Sequence, residues 1–174
     1  LILKDSAKLG RTNTDNLVQQ LKSVGLRVTP QRLAIFSALV STDSHPTAQA
    51  LFEQLHPQLP SLSQATVYNT LQILAERGLI LEIGTAGDGA VHYDGDPTPH
   101  VNLICTNCHG VQDLFEIPLG SVAKDKIGQA GFKIHAMHIA FYGQCQDCQD
   151  AAASSRLSAG KGVGVLNEPY LSAE

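Results

Sequence analysis

Every cysteine of this chain lies in one of two CxxC pairs, Cys105–Thr106–Asn107–Cys108 and Cys145–Gln146–Asp147–Cys148. Paired thiolates at that spacing ask for one tetrahedral zinc, because Zn²⁺ has no d-electron preference and four soft ligands close its shell. Thirty-six residues separate the pairs, so the metal would close a long loop and clamp two distant elements. A closed shell keeps no open position, which makes such a site architecture rather than catalysis. Two disulfides, or two redox-active pairs, are the competing readings of the same four residues.

A length of 174 residues allows one or two small domains. No apolar run approaches the ~20 residues of a membrane span, and no charged-then-apolar leader opens the sequence. Four metal-held thiols suit a reducing compartment, the cytoplasm. The net charge of −4 argues against a generally sticky nucleic-acid coat. Its distribution says more. Residues 1–42 carry six basic against two acidic side chains, whereas residues 95–150 carry three lysines against six acids. The basic end can face phosphates and the acidic end can hold cations.

Residues 1–14 are polar without a hydrophobic period and read as a loose arm. Leu17, Val18, Leu21 and Val24 then recur at helical spacing, with Asp15 placed to cap and Gly25 to stop. Thr29–Pro30 starts a second helix, with Leu33, Phe36, Leu39 and Val40 as its buried face. His45–Pro46–Thr47 leads into a third, containing Leu51, Phe52 and Leu55. Ser63 opens a fourth, ended by Gly78, whose Val67, Leu71 and Leu74 face the core. Its other side offers Gln64, Thr66, Asn69 and Thr70, with Tyr68 near the boundary. A polar, uncharged face of this kind can lie against base edges and phosphates. Leu79–Ile83 and Val91–Tyr93 read as strands around the glycine-rich turn 84–90. Short helices followed by a hairpin are the pattern of a winged helix-turn-helix over residues 15–94, whose second motif helix enters the major groove of double-stranded DNA; a small helical domain that binds protein is the competing reading. Helix 63–77 takes that role, with Arg27, Arg32, Ser63, Thr66, Tyr68 and Asn69 as the expected DNA contacts.

The second half changes character. After a turn-rich linker from Asp94 to Pro99, the segments Val101–Ile104, Val111–Phe115 and Ile134–Tyr142 are strand candidates, and Lys124–Ala130 lies on an intervening helix ended by Gly131. An α/β dimerisation domain over 95–150, pinned by structural zinc, completes an α+β protein that pairs with a second copy. Residues 151–174, rich in small residues and glycine, read as a disordered tail. Around the first CxxC gather Asp94, His100 and Asp113, with His92 and His109 nearby. Imidazole and carboxylate suit Fe²⁺ or Mn²⁺ better than a thiolate set does. GxSxG, HExxH and phosphate-binding glycine motifs are absent from the sequence, so the reading is not that of an enzyme.

The stretches GLRVTPQR (25–32), HPTA (45–48), ATVYNTL (65–71), HVNLICTNC (100–108) and FYGQCQDC (141–148) resemble those of the ferric uptake regulator family, in the same order. The resemblance implies a dimeric, metal-dependent repressor with structural Zn²⁺ on Cys105, Cys108, Cys145 and Cys148. It implies a regulatory Fe²⁺ or Mn²⁺ on His45, Asp94, His100 and Asp113, and an AT-rich inverted repeat as the operator. Asp at position 113 is similar to the peroxide-responsive branch, in which peroxide oxidises a ligating His and releases the DNA. The same fold sensing iron, manganese or zinc without peroxide chemistry is the alternative. One departure stands out: where that branch carries a second His two residues after His100, this sequence has Asn102. Either Asn102 ligates through its carbonyl or His92 substitutes for it, and Asn102 is expected to be a weak or absent ligand. A further family site uses a His shortly before the third zinc Cys, where this chain has Met137 beside His138.

Overall fold

The computed structural model describes residues 13–115 and 138–158. Four helices come first: α1 (Thr14–Ser23), α2 (Pro30–Val40), α3 (Ala48–Leu55) and α4 (Gln64–Glu76). Each has its own start signal. Asn13, not Asp15, caps α1 by accepting from the Asp15 N–H, and Asp15 sits in the first turn, where its charge favours the helix dipole. The expected arm thus ends one residue early, with Thr14 already helical. Thr29 caps α2 with Pro30 in its first turn, Thr47 caps α3, and Ser63 caps α4 through the Thr66 N–H. Gly25 and Gly78, at φ of 76° and 68°, turn the chain out of α1 and α4 in a conformation that other residues adopt only with strain.

Leu17, Leu21, Ile35, Phe36, Leu51, Val67, Leu71 and Leu74 are fully buried in one cluster between these helices. Burying each such side chain stabilises by about 1.5–3 kcal/mol. Thr70, expected on the polar face of α4, is buried as well. It lies three residues after Val67 and four before Leu74, which on a helix is the core side. Strands β1 (Leu81–Thr85) and β2 (Val91–Asp94) form the antiparallel wing, with a bulge between Glu82 and Gly84.

A second sheet has the order β4–β3–β5, from β3 (Val101–Cys105), β4 (Val111–Leu114) and β5 (Ile139–Gly143). β3 runs antiparallel to β4 and parallel to β5. The two halves touch: Ile83 and Ala86 of the wing pack with Ile104 and Val111 of this sheet. His109 adds a hydrogen bond at 2.9 Å between its Nδ1 and the Ala86 carbonyl.

The chain ends its described part in α5 (Gln146–Ser158). Disorder from residue 151 onward is therefore not observed as far as Ser158. Three consecutive alanines, 151–153, favour the helix, and Asp147 supports its first turn. Residues 1–12, the expected helix 124–130 with Gly131, the start of the expected strand at 134–137, Met137 and the rest of the tail lie outside the described residues.

Candidate metal centres

Among the described residues two groups of side chains are placed to hold a metal. The first is Cys105, Cys108, Cys145 and Cys148. Cys105 ends β3, and the chain reverses through a tight knuckle in which the Cys105 N–H donates to the Gly110 carbonyl and the His109 N–H to the Cys105 carbonyl. Cys145 and Cys148 sit at the start of α5. The knuckle and the end of β5 are tied by the Thr106 N–H and hydroxyl, both donating to the Gly143 carbonyl. The cross-pair sulfur distances are 3.8 Å for Cys105–Cys148 and 3.7 Å for Cys108–Cys145. A tetrahedron with metal–sulfur bonds of about 2.3 Å has edges of about 3.8 Å, so the four sulfurs are spaced for zinc. They form one cluster rather than two separate pairs, and the cross-pair distances far exceed a disulfide bond of about 2.05 Å.

The electrostatics also call for a cation. Backbone N–H groups of Cys108, Cys145 and Asn107 bring the Cys105 thiol down to about 6. Cys145 is pushed up to about 12: the Cys148 N–H favours its thiolate, but burial and the neighbouring sulfurs outweigh that. Four thiolates this close cannot all ionise unless a positive charge sits among them.

The second group is His45, Asp94 and Asp113, with His100 at its border. It is assembled from four elements. His45 precedes α3 and is buried, with a positive φ of 50° that a non-glycine residue adopts only under constraint. The constraint is visible: the His45 carbonyl accepts from His92 Nδ1 at 2.7 Å, and the Tyr93 N–H donates to the Pro46 carbonyl. Asp94 ends β2. The next residue, Gly95, passes so close to α2 that an added Cβ would stand 2.7 Å from the Val40 Cα. His100 enters β3, oriented by a 2.7 Å hydrogen bond from Nδ1 to the Thr98 carbonyl and stacked on Phe115. Asp113 lies on β4 directly opposite Asn102.

The ligating atoms converge. His45 Nε2 is 2.6 Å from Asp113 Oδ1 and 3.8 Å from Asp94 Oδ2; His100 Nε2 is 2.8 Å from Asp94 Oδ2 and 3.5 Å from Asp113 Oδ1. Asp94 Oδ2 is buried and has no well-aligned hydrogen bond; His100 Nε2, 2.8 Å away, meets it as an ion pair. A buried carboxylate oxygen left to a misaligned imidazole is costly unless a cation satisfies it. Two imidazoles and two carboxylates fit a divalent ion of the Fe²⁺ or Mn²⁺ kind. Burial alone would lower the His100 pKa, but the Asp113 and Asp94 carboxylates and the Thr98 carbonyl outweigh it and raise the value to about 10. Metal binding at this ring competes with its protonation, so occupancy should fall as pH falls.

His92 is not part of this cluster. Its Nδ1 is spent on the His45 carbonyl and its Nε2 lies 3.0 Å from Asp88 Oδ2, so it orients the His45 loop instead of substituting as a ligand. The reason is register: Thr47 bridges to His92 and turns that ring towards the wing. Asn102 is fully buried against the cluster. His138, unassigned by the sequence, hydrogen-bonds to it from the far side at 2.8 Å. Burial lowers the His138 pKa, the charge of His100 adds to that, and Asp94 opposes it. Only a tertiary contact reveals this partner, because the two positions are 36 apart in sequence.

Away from the core, α4 exposes Gln64, Tyr68, Asn69 and Gln72, with Tyr68 half exposed. Ser63 and Thr66 are engaged with each other in the helix cap. Arg27 is exposed, but Arg32 turns back so that Nη1 donates to the Arg27 carbonyl while its Nε is buried. Arg32 therefore shapes the loop that presents Arg27, and Arg27 is the better placed of the two for a phosphate.

A winged helix-turn-helix joined to a small sheet, with a thiolate cluster in the sheet domain and a His/Asp pocket shared between both halves, defines a class: two-domain metalloproteins built on a nucleic-acid-binding fold. Residues 23–142 match the model of the ferric uptake regulator family, more than half of the chain, and the protein belongs to that family. It is 37% identical over 131 residues to the peroxide operon regulator of Bacillus subtilis (strain 168), covering 75% of this chain and 90% of the relative. It is 32% identical over 133 residues to the peroxide-responsive repressor PerR of Staphylococcus aureus (strain Mu50), covering 76% and 89%. The crystal structure of the Campylobacter jejuni peroxide stress regulator superposes with a TM-score of 0.61 at 31% identity, over 76% of this chain and 98% of that one.

Proposed function

We propose that this protein is a metal-dependent transcriptional repressor that binds operator DNA as a homodimer and lets go when peroxide oxidises a metal-ligating histidine. It acts as a regulator and not as an enzyme. The observation that carries the reading is the convergence of His45, from the helical half, on Asp94, His100 and Asp113, around a buried carboxylate oxygen that lacks a well-aligned hydrogen bond. A ligand set drawn from both halves makes metal occupancy and domain arrangement one equilibrium, because an ion bound only in the joined state stabilises that state.

Residues 15–94 serve as the DNA-binding domain and 95–150 as the dimerisation domain. Phe141 and Tyr142, both more than half exposed on the edge strand β5, offer an apolar edge to the second copy. Zn²⁺ on the four cysteines is structural. His45, Asp94, His100 and Asp113 hold the regulatory ion. Bound Fe²⁺ would supply the one-electron chemistry that splits a peroxide O–O bond. In the net step peroxide would insert one oxygen atom at an imidazole C–H carbon of His45 or His100 and its other oxygen would leave as water, the ring supplying both electrons. The oxidised ring no longer presents its lone pair, the two halves lose their common ligand, and the DNA is released. Asn69, Tyr68 and Arg27 meet the duplex, an AT-rich inverted repeat in which Asn69 reads adenine and Arg27 holds phosphate.

The kinship with peroxide-responsive relatives, together with Asp113 in the ligand set, supports peroxide over metal sensing alone. Mobility shift on operator DNA with and without Mn²⁺ tests the repressor. Peroxide treatment of the Fe²⁺ and Mn²⁺ forms, followed by mass spectrometry, tests the signal. One oxygen atom added to a His45 or His100 peptide in the Fe²⁺ form alone is the expected result. DNA release by peroxide without such oxidation, or none at all, would favour the metal sensor. Among the described residues no helix is long and apolar enough to cross a membrane.

A further inference from the structure

Asn102 and His138 are in contact with the mixed centre, yet neither is among its four ligands. Asn102 is 0% exposed, in the central strand of its sheet. Its Nδ2 lies 3.1 Å from His100 Nε2 and 3.2 Å from Asp113 Oδ1, so the amide already stands among the ligating atoms. Its Oδ1 points away and accepts from His138 Nε2 at 2.8 Å. In this orientation the amide N–H bonds aim their positive ends at the place a cation would enter.

A half-turn about the last side-chain bond exchanges Oδ1 and Nδ2, which are nearly equal in size, and moves no neighbour. A hard carbonyl oxygen then stands among the imidazoles and carboxylates, where Fe²⁺ or Mn²⁺ accepts it. The amide N–H now faces His138 Nε2. A neutral imidazole carries its single proton on either ring nitrogen, so the same Nε2 can donate to Oδ1 in one orientation and accept from Nδ2 in the other. No hydrogen bond between Asn102 and His138 is lost by the turn. A buried amide without that partner would have to abandon one.

We propose that Asn102 is a fifth ligand of the regulatory ion through Oδ1, and that His138 is the positioning residue that holds the amide in either orientation. This rests on the reading that the His45–Asp94–His100–Asp113 centre binds a divalent ion. Of the alternatives open from sequence it takes carbonyl ligation, against a weak or absent ligand, and adds His138 as the residue that makes it workable.

The test is Mn²⁺ titration of the zinc-loaded full chain without DNA, with Co²⁺ absorption as a report on the coordination shell. His138→Leu should weaken Mn²⁺ binding about tenfold, in the range seen when partners of metal ligands are removed, and should change the Co²⁺ bands. His138→Gln, which can also donate or accept, should restore most of both. A carboxylate presents oxygen in either orientation, so in an Asn102→Asp background His138→Leu should change affinity less than about twofold, a non-additivity that marks coupled residues. Unchanged affinity and bands in His138→Leu would overturn the proposal. So would an equal loss in both backgrounds, since His138 would then act independently of the amide. If the unmodified zinc-loaded protein binds no Mn²⁺, the functional reading itself fails, a result distinct from the other two.

Discussion

The two centres of this molecule are built in opposite ways. The thiolate cluster takes its ligands from one hairpin knuckle and one helix start, both in the second half of the chain. The mixed cluster takes His45 from the helical half, Asp94 from the wing, and His100 and Asp113 from the sheet domain. The first closes its shell with four soft ligands and can only hold structure together. The second has hard and borderline ligands, and its occupancy is tied to how the halves meet. The same chain thus separates permanence from response by where it draws its ligands, as well as by which atoms it uses.

The largest effect that can break this comparison is loss of the thiolate centre. Cys105→Ser should remove zinc and unfold or monomerise the sheet domain, because structural zinc in small modules supplies on the order of 10 kcal/mol of folding free energy. Elemental analysis and size-exclusion chromatography check it; a folded dimer without zinc would place permanence elsewhere. Next in size, His45→Ala should lower Mn²⁺ affinity by about a hundredfold or more while zinc content and dimerisation stay intact, since the ring contributes a ligand but little to either core. Metal titration against zinc content reads it, and joint loss of both metals would show the two centres to be one unit.

Gly95→Ala should act between these extremes and on both stability and metal. Its Cβ would stand 2.7 Å from the Val40 Cα and 2.9 Å from the Leu39 carbonyl oxygen. Forcing α2 and the Asp94 strand apart should cost about 1–3 kcal/mol and weaken Mn²⁺ binding through the displaced carboxylate. Thermal unfolding and titration on the same sample measure this; a destabilised protein with unchanged Mn²⁺ affinity would show that Asp94 is not held by this contact. The smallest effects belong to the surface far from both metals. Asn69→Ala should lose about 1–3 kcal/mol of preference for the operator. Arg27→Ala should weaken all DNA alike and reduce the salt slope by about one. If the two substitutions exchange these signatures, the roles on the DNA face are reversed.

These regions also differ in how far they could be read from sequence. The thiolate pairs are legible because CxxC is a local spacing, and so are the caps at Thr29, Thr47 and Ser63, since a hydroxyl three residues before the N–H it accepts from is a local pattern. The His/Asp centre is not local. Asp94, His100 and Asp113 stand out as a cluster in the sequence, but His45 enters only through the family resemblance, and the same clustering draws in His92, whose ring nitrogens are spent on the His45 carbonyl and Asp88. Asn102 reads as a weak or absent ligand because its partner His138 lies far away in sequence, just before β5. Thr70 was misplaced because hydroxyls count as polar whatever their helical phase. Helical continuation to Ser158 was masked by small residues that suit a helix and a disordered tail alike.

Reciprocity offers the most direct measurement. If the mixed centre joins the two halves in the DNA-binding arrangement, operator DNA must tighten Mn²⁺ by the same factor by which Mn²⁺ tightens DNA. Mn²⁺ affinity of the zinc-loaded dimer should be measured free and saturated with operator. A rise of about 5- to 150-fold, the usual span of such coupling, absent in His45→Ala, is the expected result. Equal Mn²⁺ affinity with and without operator would contradict the claim that this centre governs DNA binding.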